Sequence, residues 1–190
     1  MNVYRPGFVL GDSQTGRGNP DDFVARMICG CIQLGARPRL PRQRKEFVPV
    51  DYVSQALLHI ATRKGATGTA YHLVPPTPEQ SPDLDAFFDL LDACGYPLEA
   101  LSYGGWVERL SHEARVADNA LGPLIPMLGE AVYGQGATRW ELYEGMPVYD
   151  TRNTNAALEG TGHRFHAMDK DLLRRYLVRW FQAGLLPPPG

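Results

Sequence analysis

A short segment near the start constrains this chain more than any other. Val3-Tyr4-Arg5-Pro6-Gly7-Phe8-Val9-Leu10-Gly11 is an apolar run broken by Arg-Pro-Gly, and it opens into a polar loop from Asp12 to Pro20. This pattern predicts a strand that delivers a loop to a site. A strand of a parallel sheet needs neighbours on both sides, yet no alternating strands and helices come before it. The chain therefore reads as the second half of a larger sheet. One edge of Val3 to Leu10 is expected to be free, either to pair with another copy or to stay disordered.

Downstream, the apolar spacing alternates between the strand and helix periods. Asn19 is placed to cap a helix with Pro20 at its first position and Asp21 and Asp22 in its first turn. Phe23, Met27, Cys31 and Leu34 follow at helical spacing, and Gly35 is placed to close that helix. Glu46 to Val50 alternates like a strand, and Asp51 is placed to cap a helix whose apolar face is Val53, Ala56, Leu57 and Ile60. Thr69 to Val74 reads as a strand stopped by Pro75. Leu84, Phe87, Phe88 and Leu91 make a helical face ended by Gly95. Leu98 to Tyr103 reads as a strand, and Trp106, Val107 and Leu110 start another helix. Leu121 to Leu128 is nearly all apolar. The last helix begins near Asp169, carries Leu172, Leu173, Tyr176, Leu177, Trp180 and Phe181, and closes at Gly184. Strands thus lie in the first 103 residues, and helices dominate the rest. The expectation is an α/β chain divided near residue 75, into residues 1–75 and 76–190.

Composition narrows the function classes. The 190 residues are 44% hydrophobic and 21% charged, enough for a real core, and the formal net charge is −2. No global field draws such a chain to nucleic acid or an anionic membrane. No apolar run approaches the roughly 18 residues of a membrane span, and the start lacks the basic and apolar regions of a signal peptide. The cysteines, Cys29, Cys31 and Cys94, are an odd and sparse set that fits a reducing cytoplasm. Cys29 and Cys31 fall two apart on a helix, so they point to different sides and read as small core residues, not as a metal or redox pair.

The common catalytic signatures are missing. The lysines are Lys45, Lys64 and Lys170, and none has a tyrosine four residues before it. No glycine-rich dinucleotide loop and no Gly-x-Ser-x-Gly elbow occurs. His112-Glu113 begins a zinc-protease pattern, but Val116 stands where the second ligand should be. No catalytic residue and no metal ligand is assigned.

Three features remain, each with a plain reading beside it. Arg5-Pro6-Gly7 sets a residue without an N–H beside one without a side chain, which suits backbone approaching a flat ligand, or an ordinary strand end. In Phe47-Val48-Pro49-Val50-Asp51-Tyr52-Val53, Asp51 is accounted for as a cap, and Tyr52 either lines a site or packs. The basic run Arg37, Arg39, Arg42, Arg44 and Lys45, broken by Pro38 and Pro41, either meets phosphate or an acidic partner, or is a solvated loop. It lacks interleaved aromatics, which argues against nucleic acid.

Taken in order, these segments resemble one family. Tyr4 to Asp12, the helix from Asp21 to Gly35, Phe47 to Val53, Tyr71-His72-Leu73, Gly95-Tyr96-Pro97-Leu98, Trp106, and the end from Asn153-Thr154-Asn155-Ala156-Ala157-Leu158 to Gly184-Leu185-Leu186-Pro187 are similar to the terminal thioester reductase domains of nonribosomal peptide and polyketide synthases. Related reductase domains occur in carboxylic acid and aminoadipate reductases, and all are extended short-chain dehydrogenase/reductases. The resemblance implies the C-terminal part of that fold, a few residual sheet strands followed by a mainly helical substrate-binding lobe from about residue 76. What comes first in the family is missing here: a Rossmann half with its glycine-rich loop, the NADPH 2′-phosphate site and the Thr/Tyr/Lys set that polarises the carbonyl. Arg5, Pro6, Gly7, Phe8 and Val9 would lie against the nicotinamide. Gly11, Ser13, Phe23, Met27 and Tyr52 would contact the acyl and phosphopantetheine substrate.

The function implied is the substrate-binding segment of an NADPH-dependent reductase. It would release a carrier-protein-bound acyl or peptidyl thioester as aldehyde or alcohol, in the cytoplasm. Alone it is expected to be inactive and to bind no cofactor, needing the Rossmann half as partner. A second reading is a non-catalytic module that docks an acyl carrier protein through Arg37, Arg39, Arg42, Arg44 and Lys45. A third is a redox-inactive domain that releases product by cyclisation.

Overall fold

The opening strand forms, and it changes partner half-way along. The computed structural model describes residues 1–40, 43–63, 68–113, 118–130, 138, 141 and 147–190. Among these, the strands are β1 (Val3–Pro6), β2 (Phe8–Leu10), β3 (Ala36–Pro38), β4 (Phe47–Pro49), β5 (Ala70–Leu73) and β6 (Glu99–Leu101). β1 pairs in parallel with β5, placing Tyr4 opposite Tyr71, and β2 pairs in parallel with β4, placing Phe8 opposite Phe47. The switch falls between consecutive amides. Gly7 N–H donates to the Leu73 carbonyl at 3.1 Å, and Phe8 N–H donates to the Glu46 carbonyl at 2.8 Å.

Two residues of the Arg-Pro-Gly motif make this crossing possible. A Cβ at Gly7 would collide with the Glu46 carbonyl, so only a bare Cα fits where the strand passes that backbone. Val3 and Gly7 donate towards β5. By alternation Pro6 faces the other edge, where its missing N–H costs the ladder nothing. Among the described residues, no strand pairs with that second edge of β1.

The helices are α1 (Phe23–Leu34), α2 (Val50–Thr62), α3 (Leu84–Ala93), α4 (Tyr103–His112), α5 (Ile125–Gly129), α6 (Arg152–Leu158) and α7 (Lys170–Gln182). Two caps differ from the sequence expectation. α1 is capped by Asp22, whose carboxylate accepts from Val24 and Ala25 N–H at 2.7 and 2.9 Å. Asn19 instead closes a turn onto Asp21 N–H. Asp22 directly precedes the first apolar residue of the helix, which places its carboxylate over the unpaired amides. α2 starts at Val50 after Pro49, with no side-chain cap. Asp51 lies inside its first turn and is engaged elsewhere. The other punctuation holds: Gly35 takes a left-handed φ of 68° and Asp169 caps Leu172 N–H at 2.8 Å. β3 overlaps the start of the basic run, and it pairs with β6.

α1, α3, α4 and α7 close around the main core with Leu10 and Phe47, so this core draws on both sides of residue 75. Trp106, Phe87, Leu91, Leu110, Leu173 and Tyr176 are fully buried in it. Cys29 and Cys31 are buried there as small core residues, and desolvation pushes the Cys29 thiol up to about 12. A smaller cluster of Ala56, Ile60, Tyr71, Leu73 and Ala157 fills the space among α2, α6 and β5.

Candidate functional site

Parallel strands present ligands at their carboxyl ends, and β1 and β5 end together in a cleft of about 290 Å³. Arg5, Pro6, Gly7 and Phe8 line one wall of it. Val9 does not, since it sits within β2 opposite Val48. The facing wall comes from Arg44, Lys45 and Glu46, with His72 and Tyr149 at the β5 end. The His72 ring is fixed at both nitrogens. Nδ1 lies 2.9 Å from the Asp150 carbonyl, which can only accept, so the proton sits on Nδ1. Nε2 then accepts from Arg5 Nη1 at 3.3 Å.

Phe8 divides this cleft from a second, apolar pocket. Phe23, Met27, Phe47, Phe87 and Phe88 line that pocket with Phe8. It encloses about 30 Å³, space for roughly one water. Lys45 borders both cavities. It is 4% exposed, and its Nζ lies 5.4 Å from the centre of the Phe8 ring. Desolvation pushes its ammonium down to about 8, partly opposed by the neighbouring Glu46 carboxylate. Burial likewise raises the Glu46 carboxyl.

The loop after Gly11 lies elsewhere, under α7. Asp12 Oδ1 accepts from Thr15 Oγ1 at 2.7 Å and from the Thr15 and Gln14 amides, which holds its carboxyl below the usual range. Ser13 is fully buried. Its N–H and Oγ donate to the Asp51 carboxylate at 2.8 and 2.7 Å, and its Oγ lies 3.3 Å from His166 Nδ1. Arg175 donates to the Ser13 carbonyl, Tyr176 to the Gly11 carbonyl and Arg179 to the Thr15 carbonyl. The loop is a fixed corner whose polar groups are satisfied internally.

The residues singled out as substrate contacts therefore fall into three places. Phe23 and Met27 join Phe8 at the apolar pocket. Gly11 and Ser13 sit in the α7 corner. Tyr52 is buried on α2 against Phe165, 5.2 Å between ring centres, beside a shallow surface hollow. Among the described residues, the members of the basic run do not share one environment. Arg37 is paired to Asp85 at 2.6 Å and lies over the Phe88 ring. Arg44 donates to the Pro78 carbonyl, Lys45 is buried and Arg39 is exposed. Arg42 lies outside the described residues. β3 overlaps the start of the run and β4 follows its end; Arg37 and Lys45 turn towards the apolar side while Arg39 and Arg44 stay exposed. Lys45 and Phe47 are two apart, the spacing that shares a strand face, and this was the available signal that Lys45 joins the apolar side. Nothing local pointed to His72, Glu46 or Tyr149.

Comparison with known proteins then decides the family. The family described as male sterility protein, an NAD-binding group, matches residues 1–57. The non-canonical nonribosomal peptide synthetase FrzA of Cladobotryum sp is 52% identical over 178 residues, 92% of this chain and 17% of that protein. Aldehyde reductase lnaA of Aspergillus flavus is 48% identical over 193 residues, 98% of this chain and 18% of that protein. The crystal structure of the terminal R domain from the myxalamid PKS-NRPS pathway superposes with a TM-score of 0.84 at 34% identity, covering 99% of this chain and 45% of that one. The chain belongs to the terminal reductase domains. It spans less than a fifth of these two curated relatives and under half of the myxalamid R domain. Its fold is accordingly part of an extended short-chain dehydrogenase/reductase, and its family is one of nicotinamide-dependent oxidoreductases in biosynthesis.

Proposed function

We propose that this terminal reductase segment is the substrate side of an NADPH-dependent thioester reductase, acting on a carrier-bound acyl or peptidyl thioester in the cytoplasm. One observation carries the reading: the cleft and the apolar pocket share Phe8 and Lys45. A thioester substrate needs both environments at once, an apolar surface against which its acyl group can lie and a place where its carbonyl can meet a hydride donor; the pocket is too small to enclose an acyl chain, and the half-buried rings of Phe8 and Phe23 at its rim offer that surface.

The residues present fit one end of a nicotinamide cofactor. Pro6 offers no N–H, Gly7 no side chain and Phe8 a ring at the cleft wall, a flat surface suited to an aromatic ring. The chain has no glycine-rich loop for a pyrophosphate and no Tyr-x-x-x-Lys pair. When bound, the nicotinamide supplies the hydride, and the protein supplies position and polarisation. This chain supplies position: Phe8 and its neighbours exclude water from the acyl side, and the Arg5–His72 pair fixes the cleft's far end. The pyrophosphate and carbonyl-polarising groups belong to a Rossmann half, joined along the second edge of β1.

Two measurements test this. Titrating S-octanoyl-pantetheine into the chain should shift the NMR signals of Phe8, Phe23 and Met27; unchanged signals at those residues overturn the substrate assignment. Incubating the chain with NADPH and the same thioester should give no turnover, and oxidation of NADPH at an ordinary enzyme rate overturns the division of labour.

A further inference from the structure

We propose that the outward face of α7 is the docking surface for an acidic carrier protein. The proposal rests on the thioester reading, because a substrate tethered to a protein requires a place for that protein to land.

The face is charged against the grain of the molecule. Lys170, Arg174, Arg175 and Arg179 are exposed on it with Asp171 as counter-charge, in a chain whose net charge is −2. Val178 and Phe181 stand among these cations, each 45% exposed. The opposite side of the helix, Leu172, Leu173, Tyr176, Leu177 and Trp180, is buried in the main core. Val178 and Phe181 thus have no role in the core. An apolar centre ringed by charge is the anatomy of a protein–protein interface. A polyanion of phosphates would find Asp171 and two apolar side chains in its path, so an acidic protein is the better fit.

The arginines are not fully engaged within the chain. Arg174 meets Asp171 at 3.3 Å, Arg175 donates to the Ser13 carbonyl and Arg179 to the Thr15 carbonyl and Gln182. A guanidinium has five N–H donors, so each retains donors for a partner. These bonds also tie the face to the site. Ser13 and Thr15 belong to the loop between β2 and α1, and α1 carries Phe23 and Met27 into the apolar pocket. A carrier seated on α7 would lie beside the segment that leads to that pocket. In the basic run before β4, Arg37 is paired and Lys45 is buried, which leaves Arg39 and Arg44 as the exposed cations among its described residues.

The test measures binding of a holo peptidyl carrier protein of net negative charge to the chain and its variants, with free S-octanoyl-pantetheine in parallel. Arg174→Glu and Val178→Asp, both exposed and outside the loop contacts, should each weaken carrier binding on the order of tenfold or more. They should leave free-thioester binding unchanged, and added salt should weaken the wild-type complex. Arg39→Glu should change carrier binding by less than about twofold. Carrier binding that ignores both α7 variants, or that is lost with Arg39→Glu, overturns the proposal while free-thioester binding keeps the functional reading intact. Binding to duplex DNA or phosphatidylglycerol vesicles as tight as to the carrier also overturns it. If neither carrier nor free thioester binds, both readings fall together.

Discussion

Trp106 and Leu58 are large apolar side chains in the middle of helices, and the fold treats them oppositely. Trp106 is 0% exposed and Leu58 is 65% exposed. α4 has one apolar stripe, Tyr103, Trp106 and Leu110, and buries it. α2 has two. Tyr52, Ala56 and Ile60 face inward, while Val50, Leu57 and Leu58 are exposed on the outside. The helices around the main core bury their apolar stripes against one another, and among the described residues the edge built from β1, β5 and α2 is covered on one side only. The largest expected effect tests the closed region. Trp106→Ala should cost about 3–5 kcal/mol by leaving a cavity that the surrounding helices cannot fill. Urea unfolding measures it, and a loss below about 1 kcal/mol would mean that the core is as open as the edge.

Lys45 lies between these extremes, a cation buried at the border of cleft and pocket. Its folded value of about 8 lies below the ordinary 10.5. The unfolded chain therefore holds an extra proton between about pH 8 and 10.5, so stability rises with pH across that window. Below pH 8 both states carry the charge and the full burial penalty stands, on the order of 3 kcal/mol. Lys45→Met removes the group that titrates between those values, so it should flatten the alkaline rise. Melting temperatures measured from pH 7 to 10.5 check the sign. An alkaline rise that persists in Lys45→Met would assign it to another group.

The α7 corner should respond by loss of hydrogen bonds, not of packing. Asp51→Ala leaves the Ser13 N–H and Oγ without their carboxylate at a fully buried position. The expected cost is about 1–3 kcal/mol, read from urea midpoints. A cost below about 0.5 kcal/mol would show that water replaces the carboxylate and that the corner is less fixed than its geometry.

What the sequence disclosed follows the range of the interactions involved. Apolar periodicity marked α3 and α7 and put Phe23 and Met27 on one face, because those signals repeat every few residues. Gly35 and Asp169 were readable as helix ends for the same reason. Asp51 was not, since the group that takes its carboxylate, Ser13, is 38 residues away and competes with any local cap. The His72 ring depends on the Asp150 carbonyl at a separation of 78 residues, beyond any local pattern. β3 was hidden because its alternation is only Ala36-Arg37-Pro38, and the basic character of the segment outweighed it. Half of the Lys45 environment was visible in its spacing from Phe47; the other half, Phe8, comes from the opening strand.

The smallest effect is the most telling for the open edge. A side chain 65% exposed has little left to lose, so Leu58→Glu should change the stability of this chain by no more than about 0.5 kcal/mol. The same replacement on a helix buried all round would be severe, because a charge would be forced out of water without a partner. α2 carries apolar residues on both faces, the pattern of a helix covered on both sides. Leu58→Glu therefore separates two states of this face. In the chain alone it should be silent in urea unfolding. Repeated with a Rossmann half joined to the chain, a cost rising above about 1 kcal/mol would show that the half covers α2, and an unchanged value would confine the joint to the edge of β1.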